Sequence, residues 1–316
     1  MLNVIHPSTF THKLMICLFP LLLLGCSNND KEAETETESD NTLTWQDVSA
    51  EYSLPTGVNY FLGSIGESKP LHYVKLDLTN DNLELRAASS EQSQSIMNFA
   101  EQEGVLAAIN GGFFSGNSSY SALIDDNEFY ARNVTALTRS GQSFPVLRSA
   151  LTLSSSNQAS VDWVYQYDLT GAIYGFAEPL SYSLSDTTPQ EIPEAAAGTL
   201  LDAKMAIGGG PTLVKNGQSK ITYDEEIFWG SGVEIGDYRP RSAVCITADN
   251  HVIMLVAKSY KISALPELLI SLGCDEAMNL DGGGSTALAV GGESIYNQGR
   301  SIPTSLLIVD KSKYLK

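Results

Sequence analysis

Apolar residues in this chain are gathered into short runs bounded by polar and turn-forming residues, the pattern of a strand-rich protein. Strand-like stretches are Leu71–Leu78, Leu83–Ala87, Val105–Ile109, Ala150–Leu153, Val161–Tyr167, Ser242–Thr247, Val252–Val256 and Ser305–Val309. Two segments carry a helical spacing instead. Ser95–Glu103 places Ile96, Phe99 and Ala100 on one face and ends at Gly104. In the other, Leu265, Leu268, Leu269 and Leu272 follow at i, i+3, i+4 and i+7 behind a candidate N-cap at Ser263, and Gly273 stops it. The expectation is an α+β fold: a β-rich mixed sheet core with a few flanking helices, in a single domain over residues 43–316. Thr187–Gly198, rich in proline, alanine and acidic residues, reads as a surface loop, and there is no repeat of solenoid length.

The N-terminus has a different pattern. Residues 14–24 form an uninterrupted apolar run behind Lys13, as long as a signal-peptide core and too short to span a bilayer. It ends in Leu23-Leu24-Gly25-Cys26, which resembles a bacterial lipoprotein box, in which the chain is cut before the cysteine and the thiol is lipidated. Residues 1–25 are then the signal peptide, and Cys26 the lipidation site. The alternative is an ordinary cleaved signal in which Cys26 has no role. Residues 26–42 carry six acidic residues and one lysine and no apolar side chain beyond Ala33, so they cannot bury enough surface to fold and form a flexible acidic linker. Ser27 after the cysteine favours the outer membrane. The expected location is the bacterial cell envelope, on its periplasmic or surface face.

Composition narrows the chemistry. The 316 residues contain 19 lysines and arginines against 37 acidic residues, a formal charge of −18, which repels phosphate backbones and argues against nucleic-acid binding. With His6, His12 and Cys17 in the leader, only His72, His251, Cys26, Cys245 and Cys274 remain. No ordinary His- or Cys-rich zinc site can be built from them, and no histidine sits in a setting suggestive of a catalytic triad. No metal or cofactor is expected; calcium would need a dedicated oxygen-rich loop, and none stands out. Cys245 and Cys274 lie in apolar surroundings that suit a disulfide and buried free thiols equally well.

Three junctions share one design: a strand-like run ends in a polar or small residue and then in consecutive glycines. They are Asn110-Gly111-Gly112-Phe113-Phe114, Gly208-Gly209-Gly210-Pro211 and Asp281-Gly282-Gly283-Gly284-Ser285. Glycine weakens a strand, so such runs belong where backbone turns sharply or lets a ligand approach its amides. Amides freed in this way bind anions. No glycine run precedes Lys-Ser or Lys-Thr, and no Gly-x-Gly-x-x-Gly opens a helix, so P-loop and dinucleotide folds are unsupported. Asp281 is the candidate for chemistry. Neighbouring amides should lower its pKa, suiting a nucleophile or base, although an aspartate here could equally cap its own turn. Arg241, entering an apolar strand, fits a phosphate or carboxylate ligand or a salt bridge.

Together these segments resemble the phosphodiester glycosidase family, which includes the catalytic domain of the lysosomal uncovering enzyme. The resemblance runs from about Gly57 to Val309 through the Asn110 junction, Gly209-Gly-Pro-Thr-Leu213 with Asn216-Gly217, Arg241-Ser-Ala243, the leucine helix, Asn279-Leu-Asp-Gly-Gly-Gly-Ser285 and Arg300. It implies hydrolysis of a sugar-1-phosphodiester, such as a GlcNAc-1-phosphodiester, in a glycan or envelope polymer. It implies catalytic roles for Asp281, Asn110 and Arg241, with Gly111, Gly209, Gly210, Gly282, Gly283, Gly284, Ser285 and Arg300 binding substrate. One departure stands out: the family's Asp-Gly after the strand matched by Val252–Val256 is Ala257-Lys258 here. That favours an alternative, a non-catalytic surface lipoprotein holding a phosphorylated or acidic glycan.

Overall fold

A computed structural model describes residues 42–297 and 299–315, which belong to one compact unit, Asp40–Lys316. The leader, Cys26 and all of the acidic linker but Thr42 lie outside the described residues. No helix among the described residues is long and apolar enough to cross a membrane.

Strands dominate, as the sequence pattern implies, in three main sheets whose pairings are all antiparallel. The eight-stranded sheet has Ser68–Asp77, His251–Tyr260, Arg239–Thr247 and Cys274–Asn279 at its centre. The seven-stranded sheet is built around Arg148–Leu153 and Met205–Gly208, and the five-stranded sheet around Val105–Asn110 and Ile302–Asp310. One side of each sheet faces a common core that draws Val74, Met254, Ile109, Ile308, Leu151 and Ile207 from all three.

This arrangement explains why the longest strands read as unbroken apolar runs. In the eight-stranded sheet Val252 and Met254 point into the common core, while Ile253 and Leu255 point outward, where Leu265–Ser271 covers them. A strand buried on both sides needs no polar alternation. The helix Ile96–Ala100 closes the outer face of the five-stranded sheet through Ile96, Phe99 and Ala100.

The helix ends differ from the expectation. Ser95 does cap the first helix, accepting the Asn98 N–H, but α-helix ends at Ala100 because the chain must turn at Gly104, φ +83°, into the strand at Val105. Ser263 is not a cap: it lies in a 3-10 turn, Ile262–Ala264, that leads directly into Leu265–Ser271. The Thr187–Gly198 segment is irregular apart from the short turn Ala195–Ala197. Cys245 and Cys274 form a disulfide, with Cα atoms 5.7 Å apart.

Candidate active site

Each glycine-rich junction ends a strand of a different sheet: Val105–Asn110 in the five-stranded, Met205–Gly208 in the seven-stranded and Cys274–Asn279 in the eight-stranded one. The three ends meet. Asn110 Nδ2 donates to the Asp281 carbonyl at 2.7 Å, and the Asp281 N–H donates to the Gly111 carbonyl at 3.3 Å. The Gly210 N–H donates to the Asn279 carbonyl at 2.8 Å, and the Asn279 N–H to the Pro211 carbonyl at 3.0 Å. Gly112 backs onto Gly208 so closely that a Cβ would lie 2.2 Å from its carbonyl oxygen.

The glycines divide into two groups. Gly111, Gly209 and Gly210 donate their N–H groups to the carbonyls of Thr304, Ser149 and Asn279, so these amides do not face a ligand. Their role is close packing: a Cβ would come within 2.2 Å of Thr304 Oγ1 at Gly111, 2.5 Å of the Asn279 carbonyl at Gly209 and 2.4 Å of Glu226 Oε2 at Gly210. Gly282, Gly283 and Gly284 instead line a pocket of about 280 Å³ with Asp281. Gly283 and Gly284 open the 3-10 turn Gly283–Ser285, whose first N–H groups have no acceptor within the turn.

Asn110 is also placed differently from the expectation that it touches substrate. It is fully buried behind the pocket, and both ends of its amide are occupied. Nδ2 donates to the Asp281 and Gly111 carbonyls, while Oδ1 accepts from Ser242 Oγ at 2.6 Å and the Ala287 N–H at 3.1 Å. It is a positioning residue that fixes the peptide carrying Asp281.

Among the described residues, Asp281 is the pocket's only acidic lining residue. Its Oδ1 accepts the Gly282 N–H at 3.0 Å, and the Ser285 hydroxyl and the Arg300 charge also favour its ionised form. Burial outweighs all three and raises its pKa, reversing the sequence-based expectation of a low value. A raised pKa makes the carboxylate a stronger base.

Three arginines line the same pocket. Arg241 is buried and largely committed: Nε donates to the Tyr260 carbonyl at 3.1 Å, and Nη2 to the Glu234 carbonyl at 2.9 Å and to Asp237. Arg241 therefore forms the salt bridge that one sequence reading offered, with Asp237, and also borders the pocket. Arg239, which sequence reasoning missed, pairs with Asp237 and is exposed. Its position two residues from Arg241 on one strand was a usable signal. Arg300 is the least committed, donating to Ser285 Oγ at 3.2 Å and lying 4.3 Å over the Phe114 ring. Phe113, Ser231 and Val233 also line the pocket and carry no chemical signature in the sequence.

At the family departure, Ala257 is buried directly across the ladder from Arg241, and Lys258 is exposed. A carboxylate at 257 would therefore stand beside Arg241, whose charge is met here by Asp237. Among the described residues no group of three or more His, Cys, Asp or Glu side chains could hold a metal ion.

A family model of phosphodiester glycosidases matches residues 103–309. The fold is shared with the catalytic domain of zebrafish N-acetylglucosamine-1-phosphodiester alpha-N-acetylglucosaminidase, auto-inhibited by its pro-peptide, at 15% identity and a TM-score of 0.52, over 85% of this chain and 82% of that one. It is shared with a protein of Synechocystis at 17% identity and a TM-score of 0.51, over 80% of this chain, which spans only 62% of that protein. An exported protein of Burkholderia pseudomallei also has it, at 14% identity and a TM-score of 0.52, over 81% of this chain and 75% of that one. No curated protein sequence matches. The chain is a strand-dominated single domain with a carboxylate-and-arginine pocket at the meeting point of three sheets. It belongs to the phosphodiester glycosidase family.

Proposed function

We propose that this protein hydrolyses a sugar-1-phosphodiester of the GlcNAc-1-phosphodiester type in a glycan or envelope polymer. The observation that carries the reading is one base-strengthened carboxylate, Asp281, sharing a pocket with Arg239, Arg241, Arg300 and the amides of Gly283 and Gly284. Ordinary glycosidases need a second carboxyl group because an alkoxide leaves poorly. A phosphate monoester leaves readily, so one carboxylate and charge stabilisation of the phosphate suffice. The C1–O bond breaks with its electron pair going to the phosphate. A water oxygen bonds to C1, and Asp281 takes the water's proton. Arg300, with the most unoccupied donors, holds the phosphate, and Arg241 supplies a fixed positive charge beside it.

The test is release of free GlcNAc from a synthetic GlcNAc-1-phosphomethyl diester. Wild type should cleave it, and Asp281→Asn should lose about 10²–10⁴-fold in kcat. Full turnover by the variant would remove Asp281 from the chemistry. In ¹⁸O-water the label should enter the sugar; label in the phosphate would mean phosphorus–oxygen cleavage. Binding without release by wild type would favour the non-catalytic glycan-binding alternative, to which the missing carboxylate opposite Arg241 lends support.

We further propose that the domain is held in the bacterial envelope, at the outer membrane, by lipid on Cys26, with residues 26–42 as its tether. Cys26→Ala should move the protein from the membrane fraction to the soluble one; unchanged retention would refute the anchor.

A further inference from the structure

Beside the Asp281 pocket lies a second one, also of about 280 Å³. The two are contiguous, sharing Phe113, Ser231 and Val233 as a common wall. The second pocket is largely apolar, with Tyr120, Leu137 and Phe228 among its walls, yet two arginines, Arg139 and Arg148, also line it and, among the described residues, no acidic one does.

Arg148 is unusual. It is 6% exposed, and no carboxylate lies within 4 Å of its guanidinium among the described residues. Its protein partners are weak: the Phe228 ring 3.9 Å from Cζ, and the Ile227 carbonyl at 3.5 Å from Nη2. Nε is buried with no acceptor. The charge of Glu226 favours the guanidinium through space, but burial outweighs it, and the Glu226 oxygens accept from Ser149 N and Oγ, Thr212 N and Thr222 Oγ1 rather than from Arg148. Arg139 adds like charge nearby and donates to the same Ile227 carbonyl at 3.2 Å. Ile227 is held at φ +55°, a backbone conformation unfavourable for a β-branched residue, and its carbonyl lies within reach of both guanidinium groups. Burial lowers the Arg148 pKa to about 10. A desolvated guanidinium is costly to bury unless an anion answers it at close range.

We propose that this second pocket is the aglycone subsite, taking a ring-bearing leaving group that carries an anionic substituent, with Arg148 as its counter-ion. A cavity of about 150 Å³ accommodates benzene, so this one has room for a substituted ring. Phe113, Phe228 and Tyr120 supply the apolar walls, and the leaving group's phosphate remains over Asp281 and Arg300. The proposal rests on the hydrolytic reading of the Asp281 pocket.

The experiment compares GlcNAc-1-phosphodiesters with methyl, phenyl and 4-carboxyphenyl aglycones. In wild type, kcat/KM should rise in that order, with the carboxylate adding at least 10-fold over phenyl. Arg148→Met, which keeps the contact with Phe228, should abolish the carboxylate's gain and retain the phenyl preference. Leu137→Trp, on a surface hairpin and independent of Arg148, should fill the pocket and erase both preferences, even if Arg148→Met fails to fold. Equal kcat/KM for the three esters in wild type, or an unchanged 4-carboxyphenyl to phenyl ratio in Arg148→Met, would overturn the subsite while leaving the hydrolytic reading intact. If no diester is cleaved, that reading falls, and calorimetry with 4-carboxyphenyl phosphate decides the pocket. Binding weakened at least 10-fold by Leu137→Trp supports it, and unchanged binding overturns it.

Discussion

Desolvation raises the Asp281 pKa, and it destabilises the native state wherever that carboxylate is ionised. The sign is definite. A carboxyl whose folded pKa lies above its unfolded one gains native stability as pH falls through the raised value, and that gain is absent at higher pH. Asp281→Asn keeps an acceptor for the Gly282 N–H but removes the charge. At pH 7 it should therefore raise Tm, by about 2–4 °C for each kcal/mol relieved, while kcat falls by about 10²–10⁴-fold. A lower Tm in thermal melts would mean that the contacts of Ser285 and Arg300 with the carboxylate outweigh its burial. The glycines allow a separate comparison. Gly111→Ala drives a Cβ to 2.2 Å from Thr304 Oγ1 and 2.9 Å from its Cβ, whereas Gly283, at φ +56°, has nothing within 4 Å of where a Cβ would go. Urea denaturation should show a loss of about 3 kcal/mol or more for Gly111→Ala, and only about 1–2 kcal/mol for Gly283→Ala. Equal losses would contradict the division into packing glycines and pocket-facing ones.

The strand that carries Arg239 and Arg241 and the strand that leads to Asp281 are neighbours, and the Cys245–Cys274 bridge ties them together across 29 residues. Closing a loop of that length in the unfolded chain accounts for about 3–4 kcal/mol. Cys245→Ala/Cys274→Ala should lose most of that in urea titration, with the m-value rising as the unfolded chain expands, and a loss below about 1 kcal/mol would show the ladder alone sufficient. The thiols were visible in the sequence, but their pairing was not, because an apolar setting suits a bridge and a buried thiol alike. The long strands were legible because burial on both sides leaves runs such as Val252-Ile-Met-Leu-Val256 without polar interruption. Leu43–Asp47 and Glu128–Ala131 were not, since they lie at or beside sheet edges with alternate residues exposed and keep polar residues there. The carboxylate, the arginine strand and the third glycine run could be singled out from residue type. The Arg148 pocket could not, because a buried guanidinium with no bonded carboxylate arises only when Asp224–Trp229 packs over Arg148 and Ser149 of the seven-stranded sheet.

At the scale of the whole molecule, three sheets share one core, so a charge placed between sheets is withdrawn from water by all of them. His72 is such a case. It is 5% exposed on a central strand of the eight-stranded sheet, with Nδ1 2.8 Å from Tyr60 Oη and Nε2 without a partner. Burial, reinforced by Lys258, pushes its pKa down to about 4 from 6.5. Because the folded value lies below the unfolded one, acidification through pH 6.5 lets the unfolded chain take up a proton that the native state refuses. Stability should fall between about pH 6.5 and pH 4 and level off below, by up to about 3 kcal/mol at 1.36 kcal/mol per unit. A chain of net charge −18 has an opposing tendency, since protonating surface carboxylates relieves self-repulsion. The two separate in a difference measurement: His72→Gln shares the surface but lacks the titrating ring. Chemical denaturation of both proteins from pH 7 to pH 4 should show their stability gap shifting in favour of His72→Gln by that amount as the pH falls. A pH-independent gap would mean that His72 is protonated within the fold, with water or a rearranged Tyr60 satisfying Nε2, and that the sheets do not seal the core at that position.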